Sequence, residues 1–182
     1  KYMPGSWGYF KNQIQEYLTK NFSPDDTVLD IGCGQGDYYE MLKDHFKRID
    51  AVEIWEPYIH EYKLKEKYTN LYHVNIMDFD FDYYDIIIMG DILEHLSRED
   101  SITLLNRIHK KCKQILVVLP YYLPQETVFG NVYERHLQPD IDDSVMEKYF
   151  PMLKLHEFHG KEAKLRIDVG ENVYYYCVFV KK

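Results

Sequence analysis

Short apolar runs alternate with stretches of helical periodicity along most of the 182 residues. Thr27-Val28-Leu29-Asp30-Ile31 predicts a buried strand that runs into a glycine-rich turn. Tyr38, Met41, Leu42, His45 and Phe46 then recur at helical spacing. Residues 49–54 predict a second strand and residues 57–67 a helix, with Pro57 in the first turn, where its missing N–H would have had no partner. Residues 71–76 predict a third strand. Asp85-Ile86-Ile87-Ile88-Met89 predicts a fourth, apolar on both faces as a central parallel strand should be. Ile102, Leu105 and Ile108 mark the next crossover helix, and Ile115-Leu116-Val117-Val118-Leu119 a fifth strand stopped by Pro120.

The pattern changes beyond Pro120. Residues 121–140 hold Pro124, Gly130 and Pro139 among many polar groups and show no clear element; a loop of that length inside a compact domain usually serves function. Residues 142–149 read as a short helix, and 152–158 and 173–180 as two last strands. The connection 160–172 is too short for a helical crossover, so these two strands should be antiparallel. The expectation is an α/β three-layer sandwich around a mostly parallel seven-stranded sheet with an antiparallel C-terminal hairpin. No linker or repeat divides it, which leaves one domain: an N-terminal lid and helix over 1–24, a binding core over 25–120, a substrate loop over 121–140 and a C-terminal helix with strands over 141–182.

Composition narrows the partners. The 22 basic against 30 acidic side chains give a net charge of −8, which disfavours nucleic acid as the ligand, and basic runs such as Lys110-Lys111-Cys112-Lys113 read as solvated surface. Cys33, Cys112 and Cys177 form neither a disulfide framework nor a zinc spacing, so no metal is expected and a reducing, cytoplasmic home is. No apolar run reaches the ~18 residues of a membrane span, and the first residues lack a signal-peptide core. Aromatic residues make up 16%, with 18 tyrosines; Tyr9, Tyr38, Tyr121, Tyr122 and Tyr133 fall in segments expected to border a crevice.

The chemistry concentrates in Asp30-Ile31-Gly32-Cys33-Gly34-Gln35-Gly36-Asp37. Its glycines let backbone approach a ligand closely between a strand and a helix N-terminus. A dinucleotide fingerprint needs G-x-G-x-x-G, yet Asp37 stands where the third glycine belongs and Gly36 comes one place early. The added carboxylate of Asp30 suits a cationic group better than a pyrophosphate.

This segment resembles the first motif of the class I S-adenosylmethionine-dependent methyltransferases, and the chain is similar to that family over about residues 25–120. The resemblance implies a Rossmann-like fold with S-adenosyl-L-methionine as cofactor and S-adenosyl-L-homocysteine as product. It implies cofactor contacts from Asp30, Gly32, Cys33, Gly34 and Gly36. Glu53 matches the acidic residue that binds both ribose hydroxyls; Ile54 and Trp55, which follow it directly, are placed by the residues themselves to cover the adenine face, with plain packing the other reading of Trp55. Asn75 and Ile76 take the adenine-contacting place, with Asp78 an alternative to Asn75. Gly90 and Asp91, within Tyr84-Asp-Ile-Ile-Ile-Met-Gly-Asp-Ile-Leu-Glu-His-Leu96, would meet the methionine part.

Several residues remain to be assigned. His136, in the 121–140 loop, is the candidate catalytic base, because an imidazole titrates near neutrality. Arg135 is a candidate for an acceptor carboxylate or for a salt bridge with Glu134 or another neighbour. Glu94 and His95, adjacent in sequence, would not face each other on a helix and read as capping and packing residues. Cys33 reads as a small filler. Residues 2–10 could form a lid over the cofactor or dock onto the sheet. A small-molecule methyl acceptor fits a domain with no room for an appended recognition module. A non-catalytic binding subunit of the same fold and, against the glycine spacing, an NAD-linked oxidoreductase are the other readings.

Overall fold

The computed structural model describes residues 7–182. Helix α1 (Lys11–Asn21) leads to strand β1 (Val28–Ile31), α2 (Asp37–Leu42), β2 (Ile49–Glu53), α3 (Glu56–Glu61), α4 (Leu64–Lys67), β3 (Leu71–His73) and β4 (Tyr84–Gly90). Then come α5 (Arg98–Ile108), β5 (Cys112–Tyr121), α6 (Asp143–Tyr149), β6 (Leu153–Leu155), β7 (Glu157–Phe158), β8 (Lys161–Glu162), β9 (Lys164–Val169) and β10 (Asn172–Lys181). Single 3₁₀ turns lie at Ile76–Asp78, Leu93–His95 and Val132–Glu134.

The main sheet runs β3-β2-β1-β4-β5-β10-β6, with β9 also paired to β10. The first five strands are parallel, and β10 lies antiparallel to β5. Strand order reverses between β1 and β4, so a crevice opens beyond their carboxyl ends. Alternation along each central strand fills two cores. Leu29, Ile31, Ile87, Met89, Val117 and Leu119 pack towards Leu104, Leu105 and Ile108 of α5. Val28, Ile86, Ile88, Leu116 and Val118 pack towards Ile14 and Leu18 of α1 and Leu42 of α2. The three-layer α/β sandwich expected from the sequence is therefore present, with the period of two sending neighbours to opposite layers.

Local signals place the helix ends. The Ser97 hydroxyl accepts from Asp100 N at 3.0 Å to start α5, and Asp142 accepts from Val145 N at 2.8 Å to start α6. The helix expected over 57–67 is broken in two, because Lys63 takes a left-handed conformation (φ 52°) between α3 and α4. A larger difference concerns 160–172, read as a bare connection. It contains β8 and β9, and β9 forms the tight hairpin with β10 while β6 pairs with the other end of β10, antiparallel as expected. The main sheet thus has eight strands rather than seven. Leu165, Ile167 and Val169 alternating with Lys164, Arg166 and Asp168 carry the period-two signal for β9.

Candidate active site

The chain leaves β1 through Gly32, Gly34 and Gly36, all at positive φ (64°, 52° and 89°). A Cβ on Gly32 would stand 2.0 Å from Ile92 Cδ1, so the turn that follows β4 closes directly over it. At the tip of β2 the Glu53 carboxylate is fixed by two backbone donors: Gly34 N to Oε2 at 3.0 Å and Trp55 N to Oε1 at 2.8 Å. Burial raises the Glu53 pKa, and those two donors oppose the rise. Each oxygen keeps acceptor capacity for a further hydroxyl, as a diol requires.

Gly90 ends β4 under the Tyr38 ring, where an added Cβ would come within 2.2 Å of Cε2. Asp91 follows in the left-handed region (φ 55°), a conformation that costs energy for a residue with a Cβ. Its Oδ2 accepts from Tyr176 Oη at 2.8 Å and from Trp7 N at 3.2 Å, whereas the buried Oδ1 has no partner among the described residues. Burial lifts its pKa to about 7 against the opposing Tyr176 hydrogen bond. Asn75 and Ile76 lie beyond β3, with Asn75 Oδ1 capping the next turn through Met77 N at 3.0 Å.

Of the residues expected from the sequence, Gly32, Cys33, Gly34, Glu53, Ile54, Asn75, Ile76, Gly90, Asp91 and His136 line one crevice. Asp30, Gly36, Trp55 and Asp78 are not among its lining residues. Asp30 points with Val28 into the layer beneath, where it accepts from Tyr68 Oη at 2.6 Å and burial raises its pKa to about 7. Gly36 caps α2, Trp55 is half-buried edge-on to Tyr133, and Asp78 is exposed on its 3₁₀ turn. Cys33 is buried and its thiol is pushed well up, first by desolvation and then by Asp30, so the filler reading fits it better than a nucleophile. Tyr38 and Tyr133 border the crevice but Tyr9, Tyr121 and Tyr122 do not; Tyr121 is buried and bonded to Asp143. Of the expected lid, residues 2–6 lie outside the described residues, and Trp7 lines the crevice, stacked on Tyr176 at 5.6 Å. Arg135 points outward and pairs with Glu126 at 3.4 Å, one of the two roles open to it.

Sequence reasoning missed the other wall. The turn Leu93–His95 and the segment 135–138 are joined: Glu94 O accepts from Leu137 N at 2.8 Å and from Gln138 N at 3.1 Å. Gln138 Nε2 donates to Leu93 O at 2.8 Å and to Ser101 Oγ at 2.8 Å. This brings the rings of His95 and His136 edge to face, with centroids 4.6 Å apart. The Glu94 side chain, read from sequence as a cap or packing group, is wholly buried in the crevice wall, and neither carboxylate oxygen has a hydrogen-bond partner among the described residues. Burial and the neighbouring Asp91 push its pKa well up. Burial, then His136, lowers His95 to about 4, and burial lowers His136 as well, so both imidazoles are neutral at pH 7. Opposite them Glu134 accepts from Tyr58 Oη at 3.1 Å and is raised by its own burial. The crevice therefore combines a backbone cradle, the Glu53 carboxylate held by two backbone donors, the buried acids Asp91 and Glu94, and two neutral imidazoles.

Residues 28–114 match a family described as a methyltransferase domain. An uncharacterized protein of Methanocaldococcus jannaschii is 32% identical over 106 residues, which are 56% of this chain and 45% of that protein. The chain thus spans less than half the length of that curated relative. A solved S-adenosylmethionine-dependent methyltransferase from Clostridium acetobutylicum superposes with a TM-score of 0.66 at 15% identity, over 94% of this chain and 90% of its own. The N-methyltransferase NodS of Bradyrhizobium japonicum gives 0.63 at 14% over 94% and 93%. The 1,6-didemethyltoxoflavin-N1-methyltransferase of Burkholderia thailandensis gives 0.62 at 15% over 94% and 76%. The glycine turn, the acid at the tip of β2 and the Gly90-Asp91 block all lie inside the segment that matches the methyltransferase domain, and the solved methyltransferases share the Rossmann-like fold of the chain.

Proposed function

We propose that this chain transfers a methyl group from S-adenosyl-L-methionine to a small-molecule acceptor and releases S-adenosyl-L-homocysteine. The observation that carries the proposal is the placement of two carboxylates on either side of the glycine turn. Glu53, held by two backbone donors, would receive a ribose diol, and Asp91 Oδ1, without a hydrogen-bond partner among the described residues, would receive an ammonium. The cofactor fits these residues, since a Cβ at Gly32 or Gly90 would collide with the wall that shapes the cradle. When bound it supplies a methyl carbon on a sulfonium, a leaving group good enough that the protein need only align the acceptor and exclude water. Glu53 and Asp91 hold the donor at its two ends. Trp7 and Tyr176 close the methionine side, and the wall from Glu94, His95 and His136 faces the acceptor.

Neutral His136 donates its Nδ1 proton to Leu123 O at 2.7 Å, which leaves the Nε2 lone pair free to take an acceptor proton. A small acceptor is supported by the enclosed wall and by the structural neighbour solved with bound 1,6-didemethyltoxoflavin. Three free, buried cysteines support a reducing, cytoplasmic setting, and no helix among the described residues is long and apolar enough to cross a membrane. Calorimetry tests the proposal: S-adenosylhomocysteine should bind one to one and NADH should not. Absence of binding to the folded protein overturns it; binding without methyl transfer to any acceptor class would favour a non-catalytic subunit.

A further inference from the structure

The sequence offers no metal-ligand spacing, yet the fold assembles a ligand set. One ligand atom each from Glu94, His95 and His136 lies within 4.8 Å of the others, with His95 Nε2 4.0 Å from Glu94 Oε1. Metal–ligand bonds of about 2.1 Å would bring such atoms to roughly 3–3.4 Å from one another, so side-chain shifts of about an ångström close the set. Both rings are already held in the required tautomer. His95 Nδ1 is 3.2 Å from Arg135 O and His136 Nδ1 is 2.7 Å from Leu123 O, so each Nδ1 gives its proton to a backbone carbonyl and each Nε2 presents a lone pair. Backbone bonds from Leu137 and Gln138 to Glu94 O fix the two segments together although 41 positions separate His95 from His136. The Glu94 carboxylate is fully buried with neither oxygen hydrogen-bonded among the described residues, an expense that a counter-ion removes. Packing alone gives no reason to bury an acid there.

We infer that Glu94, His95 and His136 bind a divalent first-row transition-metal ion whose open positions face the crevice and take an oxygen of the methyl acceptor. Two imidazoles and one carboxylate suit zinc or iron(II) rather than magnesium. The chemistry also selects the acceptor class. A metal-bound amine has no lone pair left for the methyl carbon, whereas a metal-bound hydroxyl oxygen does. With its Nε2 lone pair on the ion, His136 no longer serves as the base, and the bound hydroxyl instead loses its proton to solvent at the crevice mouth. The oxygen then forms its bond to the methyl carbon as the C–S bond breaks and its electron pair stays on sulfur. What the ion does rests on the methyltransferase reading; whether the ion binds does not.

The test uses untagged full-length protein stripped with chelator and titrated with Co²⁺, then Zn²⁺, with Mg²⁺ as comparator. The expected result is one equivalent of Co²⁺ with visible d–d bands and no thiolate charge-transfer band, displaced by Zn²⁺ but not by millimolar Mg²⁺. Glu94→Gln and His136→Gln should each weaken Co²⁺ binding at least 100-fold while keeping the wild-type circular dichroism spectrum. Failure to bind Co²⁺ at 0.1 mM, or equal binding by both folded variants, overturns the inference. S-adenosylhomocysteine titrated into the same samples separates the two proposals: its failure to bind bears on the methyltransferase reading alone, and Co²⁺ binding on the metal site alone.

Discussion

The Tyr176 hydroxyl donates to Asp91 Oδ2 at 2.8 Å and so ties the last, antiparallel strand to the tip of a parallel one 85 positions earlier. The bond occupies one carboxylate oxygen, and the other, without a partner among the described residues, is the one proposed to take the cofactor ammonium. Asp91→Asn should therefore weaken S-adenosylhomocysteine binding by about 10–100-fold, the ~1.5–3 kcal/mol of a charge-assisted hydrogen bond, as calorimetry can measure. Tyr176→Phe should cost less, because it removes an orienting group and leaves the charge in place.

Glu53 differs in that its two oxygens are both held by backbone N–H groups. Glu53→Gln keeps the shape but cannot accept at both positions. It should lower affinity for S-adenosylhomocysteine about tenfold or more while changing little for the 2′-deoxy analogue, which has no diol to lose. Equal losses for both ligands would show that Glu53 acts through the glycine turn instead.

Gly90 is a steric position rather than a conformational one, since Tyr38 Cε2 lies 2.2 Å from where its Cβ would be. Gly90→Ala should destabilise the protein by roughly 1–3 kcal/mol in urea unfolding, the usual cost of overpacking. Tyr38→Leu in the same chain should recover part of that loss, a non-additivity that only direct contact produces.

These positions were legible in the sequence for a physical reason. Each sits where an apolar strand stops at a glycine or acid, as at Ile31-Gly32, Val52-Glu53 and Met89-Gly90-Asp91, and strand ends in a parallel sheet converge on one edge. The opposite wall was not legible. Helical geometry would turn Glu94 and His95 apart, but they stand on a single 3₁₀ turn, and His136 reaches them through a loop whose path no periodicity encodes. Tyr176 reaches Asp91 only because β10 pairs with β5 in the register that sets Tyr176 opposite Pro120. Asp30 shows the converse: the motif was real, but alternation along β1 turned its side chain away from the crevice towards Tyr68.

Gln138 joins the Leu93–His95 turn to the segment that carries His136. It is buried, donates to Leu93 O, Leu96 O and Ser101 Oγ, and accepts from Arg98 Nε at 3.0 Å. Gln138→Leu removes those bonds; Ser101 Oγ still donates to Leu93 O at 3.2 Å, so the loss falls on Leu96 O and Arg98 Nε, at about 1–3 kcal/mol in all. Thermal melts should fall by several degrees. S-adenosylhomocysteine affinity, set by the other wall, should change by less than threefold below the melting range.

Asp30 makes the pH dependence of stability separable. It is 1% exposed and its native pKa is raised to about 7, first by burial, against 3.8 when unperturbed. Between those values the folded protein keeps a proton that the unfolded chain has already released, so raising the pH removes stability. The loss begins near pH 4, proceeds at about 1.4 kcal/mol per pH unit and is complete above about pH 7. Asp30→Asn, neutral throughout and still able to accept from Tyr68, should escape this loss. Urea unfolding of both proteins from pH 5 to 8 should show the variant gaining on wild type as the pH rises, then a constant difference. A difference independent of pH would mean that Asp30 is already ionised in the fold, held by Tyr68 and the Lys11 charge that lowers its pKa.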